Sequence, residues 1–304
     1  MSTATTATNG ARALENGTVI LEVIFHRPGI RRKGDVAEIE TSADKAQLGL
    51  SKQIISSPEY KDAYRIASHC RDYLRDRELK GPFKTGRHLL PVSLLRECYE
   101  HVEQAEAEYS EAVERFLAVY PSQKEAARES LGLQYRESDY PSVDRLRAAF
   151  WIEKRITQWS TPDPSRIGEY LYEKERERVS VELTAMAEDA KLALREGIRE
   201  LASRLARALG RKENGHRRQL RPETYQNVLE WLSLFDKRDV LKDEALGAVV
   251  ADIRGALDGN PITELRSNDG LRETVKGELE GAIEQLGTLL VDAPARSIVF
   301  DEDE

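Results

Sequence analysis

Residues 91–120, PVSLLRECYEHVEQAEAEYSEAVERFLAVY, repeat apolar side chains at steps of three and four. Leu94, Leu95, Cys98, Val102, Ala105, Tyr109, Ala112, Val113, Phe116 and Leu117 therefore share one stripe of an α-helix, because 3.6 residues per turn bring such positions back to one face. Pro91 stands where a first-turn proline belongs, its missing N–H being one that a helix start leaves unpaired anyway. The opposite face carries Glu97, Glu100, Glu103, Glu106, Glu108, Glu111 and Glu114. It reads first as a solvated acidic surface and second as a face for a basic partner.

Upstream, Tyr60, Tyr64, Ala67, Cys70, Tyr73 and Leu74 keep the same period from Pro58 onward, until Gly81-Pro82 and Gly86 end it. Downstream, Pro121 is expected to break or kink the long helix, which resumes over Lys124 to Leu131 and stops at Gly132. Asp139-Tyr140-Pro141-Ser142 reads as a turn into a short helix through Ala149. Two segments have the alternation and β-rich composition of strands: Thr18 to His26, and residues 150 to 159, which are expected to pair with each other. After Pro28-Gly29 come the basic residues Arg31, Arg32 and Lys33, then a further candidate strand at Asp35 to Glu40.

Thr161-Pro162-Asp163-Pro164 is the best domain boundary, and Arg166 to Leu209 is the longest periodic segment beyond it. Leu183, Met186, Ala190, Leu194, Ile198, Leu201, Leu205 and Ala208 recur near the 3.5-residue spacing of a coiled-coil seam, which needs a partner helix from this chain or another subunit. Glu173 to Arg178 alternate in sign, as on a solvent-facing helix laced with ion pairs. A loop over Gly210 to Arg221 precedes helices at 222–236, 242–257 and 263–291, the last weakened by Gly277, Gly281 and Gly287. The organisation expected is a disordered leader at 1–17, a strand-plus-helix region at 18–160, a helical region at 165–300 that could be continuous with it, and an acidic tail at 301–304. The fold class is mainly α: long helical hairpins or a coiled-coil-like bundle with a small two- or three-stranded β element.

Over 304 residues the chain is 40% apolar, 33% charged and 7% aromatic, the profile of amphipathic helices rather than sheets. Its net charge of -8 repels nucleic acid and anionic membranes as a whole, so such contacts need a local basic patch. No apolar run reaches the ~20 residues that span a bilayer, and the N-terminus lacks a signal-peptide core. With Cys70 and Cys98 as the sole cysteines, a cytoplasmic protein with reduced thiols is expected.

Chemical signals are sparse. Cys98-x-x-His101 and His69-Cys70 offer four zinc-ligand types, but their spacing fits no familiar zinc module and both cysteines lie on apolar stripes. No Gly-x-Ser-x-Gly, His-Glu-x-x-His, P-loop or dinucleotide fingerprint is present. A non-enzymatic chain without cofactor or metal is the expectation. Two basic clusters could grip phosphates: Arg27, Arg31, Arg32 and Lys33, and the better candidate, Arg211, Lys212, Arg217, Arg218 and Arg221. Neither interleaves aromatics for base stacking. Trp151, Trp159 and Trp231 read as core or interface anchors.

Four stretches carry a resemblance: Leu48-Gly-Leu-Ser-Lys-Gln-Ile-Ile-Ser-Ser-Pro58-Glu, Arg87-His-Leu-Leu-Pro91 opening the long helix, Tyr109-Ser-Glu-Ala-Val-Glu-Arg-Phe116-Leu, and Asp139-Tyr140-Pro141-Ser142. Over roughly residues 18 to 160 the chain resembles a family of uncharacterised helical proteins of phages, prophages and plasmids. The resemblance implies a mobile-element origin, a phage-encoded protein in the host cytoplasm, and genes often lying near a MoxR-type AAA+ ATPase and a von Willebrand A-domain protein, which suits an adaptor working with that ATPase. It supplies no active-site residues. The function expected is therefore a helical interaction protein, with Leu183, Met186, Leu194, Ile198, Leu201 and Leu205 as the partner seam. The alternative is a nucleic-acid-binding factor in phage DNA metabolism acting through the 211–221 loop.

Overall fold

The computed structural model describes residues 2–291 apart from 39, 56, 82, 84, 159–164, 166 and 167. The expected boundary at 161–164, Trp159 and the acidic tail lie outside the described residues. The chain is mainly α, with one three-stranded and one two-stranded antiparallel sheet among the described residues. It divides into two compact units. One takes in residues 20–78 and 83–157, and the other draws its described residues from the segments 1–19, 79–82 and 158–304.

The first unit is built on strand β1 (Thr18–His26), flanked by β4 (Arg87–Pro91) and β5 (Trp151–Thr157) in the order β4-β1-β5. β1 and β5 pair antiparallel from Ile20 opposite Thr157 to His26 opposite Trp151, as expected from their alternation. β4 was not foreseen. Arg87 to Pro91 reads as the opening of the long helix, yet Leu89 and Leu90 are buried in a strand, and Pro91 precedes the helix as its cap rather than entering its first turn. The small sheet pairs β2 (Arg31–Lys33) with β3 (Ser51–Gln53). The strand expected at Asp35 to Glu40 is instead a 3-10 turn over Val36–Glu38, and the neighbouring basic residues form the strand.

Helix α2 (Pro58–Arg75) begins at Ser57, whose Oγ accepts from the Tyr60 amide at 3.1 Å, with Pro58 at its first position. It buries Tyr60, Ala63, Ala67, Cys70 and Leu74 against α3 (Val92–Leu131). α3 answers with Leu94, Cys98, Val102, Ala105, Tyr109, Ala112 and Phe116, each large side chain contributing about 1.5–3 kcal/mol by leaving water. Pro121 does not break α3, which continues to Leu131 and stops at Gly132, φ 50°. Buried Phe116, Leu117 and Tyr120 before the proline, and Lys124 and Arg128 pairing with Glu137 after it, hold both halves in one helix. A 3-10 turn at Glu137–Asp139 leads to α4 (Val143–Ala149), capped by Ser142. Trp151 is not a core anchor: it is 49% exposed and stacks flat on His26, ring centroids 3.8 Å apart.

In the second unit, residues 2–17 are not a disordered leader but helix α1 (Ser2–Gly17), which lies against α5 (Glu169–Leu209) with Ala11 and Leu14 buried. At Gly10 the two helices approach closely; a Cβ there would lie 3.5 Å from that of Ala187. α6 (Pro222–Arg238), α7 (Glu244–Leu257), α8 (Ile262–Ser267) and α9 (Asp269–Val291) complete the unit. The helix expected at 263–291 is thus two, parted at Asn268, whose Oδ1 accepts from the Leu271 amide at 3.1 Å. Gly277, Gly281 and Gly287 sit inside α9 without interrupting it.

The 183–205 seam does not wait for another subunit. Leu194, Ile198, Ala202 and Leu205 enter one core with Val228, Trp231 and Phe235 of α6, Val250 and Ile253 of α7, and Val275, Leu279 and Leu286 of α9, with Leu201 packed at its margin. Leu183 and Met186 are buried as well. Of the two partners left open for this seam, helices of the same chain cover it, α9, α1 and α6 foremost. Half-buried Arg195 ties the bundle together, clamping Asp243 at the start of α7 with two hydrogen bonds of 2.8 and 3.1 Å and donating to the Leu289 carbonyl at 2.7 Å.

Candidate nucleic-acid interface

The better of the two basic clusters in sequence is the one the tertiary structure uses up. Within residues 210–221 the backbone folds into a tight hairpin with a bridge between Arg211 and Arg217, turning at Gly215, φ 78°. Arg211 and Arg217 grip the two carboxylate oxygens of Asp269, at 3.1 and 2.5 Å, at the first residue of α9. Those arginines hold the Asp269 carboxyl below its ordinary range, Arg217 most of all. Arg218 donates to the Arg211 carbonyl at 3.2 Å, and Arg217 also reaches the Arg266 carbonyl at 3.0 Å. Lys212 is exposed and Arg221 is the residue preceding α6. Three of the five candidate phosphate contacts thus have partners within the protein, and the loop is a structured hairpin.

The N-terminal cluster has the opposite fate. β1 ends at His26, Pro28-Gly29 turns the chain, and β2 starts at Arg31, its position fixed by pairing with Gln53 and by the Ile54 amide donating to the Ile30 carbonyl at 2.8 Å. The start of α2 faces this turn. Tyr60 donates its phenol to the Pro28 carbonyl at 2.9 Å, and one helical turn on, Tyr64 lies under the Arg27 guanidinium, 4.2 Å from ring centroid to Cζ. Tyr60 is anchored from below by edge-to-face contacts with Phe116 and Phe150, 5.5 and 6.3 Å between centroids. Burial pushes its phenol up, against the pull of the nearby Arg27 charge.

These elements border an open cavity of about 490 Å³ lined by Arg27, Arg31, Lys61, Tyr60, Tyr64 and the Pro28–Ile30 turn. Among the described residues no carboxylate lines it. Among the described residues none of Arg27, Arg31 and Lys61 forms an ion pair, and all three are exposed. Arg32 is turned inward on its own turn, donating to the Gly29 and Arg31 carbonyls at 3.0 and 2.9 Å. The aromatic rings that the cluster lacks along the chain are supplied from α2, more than thirty residues later. One trace of this was present in sequence: Tyr64 falls on the apolar stripe of α2, yet it is 44% exposed beside Lys61.

Other candidate features are engaged or mixed. On the acidic face of α3, Glu97 accepts from Tyr73 and Arg77, and Glu100, Glu106, Glu111 and Glu114 pair with Arg96, Lys154, Arg115 and Arg147. A groove of about 890 Å³ in the second unit is lined by both signs, Glu15, Glu173 and Glu177 alternating with Arg12, Lys174 and Arg176. Cys70 and Cys98 are fully buried, and burial pushes the Cys70 thiol up to about 12, which makes it a poor nucleophile. His101 stacks on Tyr73 at 3.6 Å and is held below its ordinary range by burial and then by Arg77. Among the described residues no three His, Cys, Asp or Glu side chains converge in a way that could hold a metal ion, and no helix is long and apolar enough to cross a membrane. Compared with protein-family models, with curated proteins and with solved structures, the chain matches none.

Proposed function

We propose that this chain is a non-catalytic helical binding protein that takes nucleic acid by its phosphates at the Arg27–Arg31–Lys61 cavity. One observation supports the reading above the rest: three cations line one concavity, and no carboxylate of the described residues lines it. In a chain with 54 acidic against 46 basic residues, intramolecular partners are plentiful, and the arginines of the 211–221 loop find theirs. A phosphate supplies what this cavity lacks, since guanidinium groups meet its oxygens in pairs and an ammonium adds a point charge.

The test is fluorescence anisotropy of a labelled oligonucleotide across a salt series. Three ionic contacts to phosphate oxygens give a log–log salt slope no steeper than about -2 to -3, and the combined Arg31→Gln, Lys61→Gln substitution makes that slope shallower. The reading is overturned if no oligonucleotide binds at low salt, or if binding survives that double substitution and is lost with Arg211→Gln, Arg217→Gln.

A second reading, a protein adaptor, is favoured by apolar side chains left in water on the first half of α5: Tyr170, Leu171 and Val181 are 69%, 55% and 65% exposed. The resemblance implies a MoxR-type AAA+ ATPase as that partner. An affinity pull-down read by mass spectrometry with and without nuclease separates the two readings. A protein partner retained after nuclease, and lost with Leu171→Glu, Val181→Glu, supports the adaptor.

A further inference from the structure

Resting on the nucleic-acid reading, we infer that the cavity is an end-binding site, made for the terminal phosphate monoester of a strand rather than for an internal phosphodiester. Charge count is the first ground. An internal phosphodiester carries one negative charge, whereas a monoester carries about -1.5 to -2 near neutral pH and presents three strongly accepting oxygens. Arg27, Arg31 and Lys61 together bring three positive charges to one cavity, closer to the monoester's charge than to a diester's.

Shape is the second ground. A backbone-tracking site spaces its cations along a groove, one to each phosphate. Here Arg27 and Arg31 are four residues apart across the Pro28-Gly29 turn, and with Lys61 of α2 they line a single cavity. The cavity, about 490 Å³, has room for a phosphate with its sugar and base. The Tyr64 ring is the third ground. It lies 4.2 Å from the Arg27 Cζ and so helps hold that guanidinium at the cavity, and its own 44% exposure leaves ring surface for the terminal base.

The experiment compares single-stranded oligonucleotides of one sequence that end in a 5′-phosphate, a 3′-phosphate or hydroxyls only, labelled internally, with a phosphoserine peptide as a further competitor. One phosphorylated end binds at least about tenfold tighter than the hydroxyl ends, and this preference shrinks as pH falls through about 6, where the monoester gives up its second charge. Arg31→Gln and Lys61→Gln, exposed and remote from the core, abolish the preference, and Tyr64→Leu weakens it. Equal affinity for all ends, with binding still lost in the double variant, overturns the end-binding inference and leaves the nucleic-acid reading standing. No binding by any oligonucleotide overturns both. A phosphopeptide that outcompetes the phosphorylated oligonucleotide keeps the monoester chemistry and overturns nucleic acid as its source.

Discussion

Arg272 Nε donates to the Leu209 carbonyl oxygen at 3.0 Å, so a cation from the first turn of α9 closes the C-terminus of α5. Its other nitrogens reach the Ala208, Arg218 and Leu265 carbonyls at 2.8, 3.1 and 3.3 Å, and the residue is only 4% exposed. Helix ends leave carbonyls unpaired, and a buried arginine there satisfies several at once. Burial, and then the nearby Arg217, pull its pKa down, which marks the cost of keeping it charged. Arg272→Met, which keeps the stem and deletes the donors, is expected to lower stability by about 3–5 kcal/mol, because the carbonyls are left dry. Urea denaturation followed by circular dichroism measures it, and a loss under 1 kcal/mol contradicts the capping role.

The Arg195–Asp243 pair is the corresponding tie between α5 and α7, with side chains 17% and 6% exposed. Asp243 also caps α7 by accepting from the Leu246 amide at 3.2 Å. Removing either partner strands a buried charge, so each single alanine variant is expected to cost about 3–5 kcal/mol, and the double variant much less than their sum. A double-mutant cycle reads the coupling directly.

Leu14 is fully buried in α1, in a segment whose composition suggests a disordered leader. Leu14→Ala is expected to destabilise the second unit by about 2–5 kcal/mol through lost burial and the cavity left behind. Limited proteolysis supplies the readout: the substitution should expose residues 2–17 to early cleavage, while the wild-type N-terminus persists.

Gly86 holds a φ of 92°, and a Cβ there would lie 3.1 Å from Ile24 Cγ1 and 3.2 Å from the Val23 carbonyl oxygen. The same residue accepts the Val23 amide at 2.7 Å and so sets the entry to β4. Gly86→Ala combines a disfavoured backbone with crowding and is expected to cost about 1–3 kcal/mol. Gly49→Ala, where nothing lies within 4 Å and φ is not positive, is the control and should be near neutral.

Glu137 accepts from Lys124, from Tyr135 at 2.7 Å and from Arg128 at 3.1 Å. Those partners, Lys124 first and Tyr135 next, bring its carboxyl down to about 2 from an ordinary 4.5. A folded-state pKa below the unfolded one stabilises above pH 4.5, and the contribution is lost as pH falls toward 2. Glu137→Gln should therefore lower Tm slightly at neutral pH and flatten its fall across that acid window, the effect staying small because the site is solvated. Melting curves from pH 7 to 2 check it.

What could be read from the sequence follows from how local each signal is. Periods of 3.6 and 2 are properties of neighbouring residues, so α2, α3, α5, β1 and β5 were legible, and the matching alternation of β1 and β5 was enough to foresee their pairing. Where local and tertiary signals disagree, packing prevailed. Pro121 sits in an unbroken helix because buried residues before it and ion pairs after it outweigh a missing hydrogen bond, and Thr- and Ala-rich residues 2–17 are helical because α5 offers them a surface.

The candidate site turns on a quantity that no local pattern encodes, the distance from each cation to the nearest carboxylate. Both arginine clusters look alike along the chain. Asp269, about fifty residues from the 211–221 loop, arrives there with α9 and neutralises it, whereas Tyr60 and Tyr64 arrive beside Arg27 with α2 and bring a cation, Lys61, with no carboxylate in the cavity lining. Sequence alone thus determined the helical class, the core stripes and two basic clusters able to bind an anion. Tertiary structure decided which of them remain free to do so, because Coulomb attraction acts through a few ångströms of space and the fold alone sets those separations.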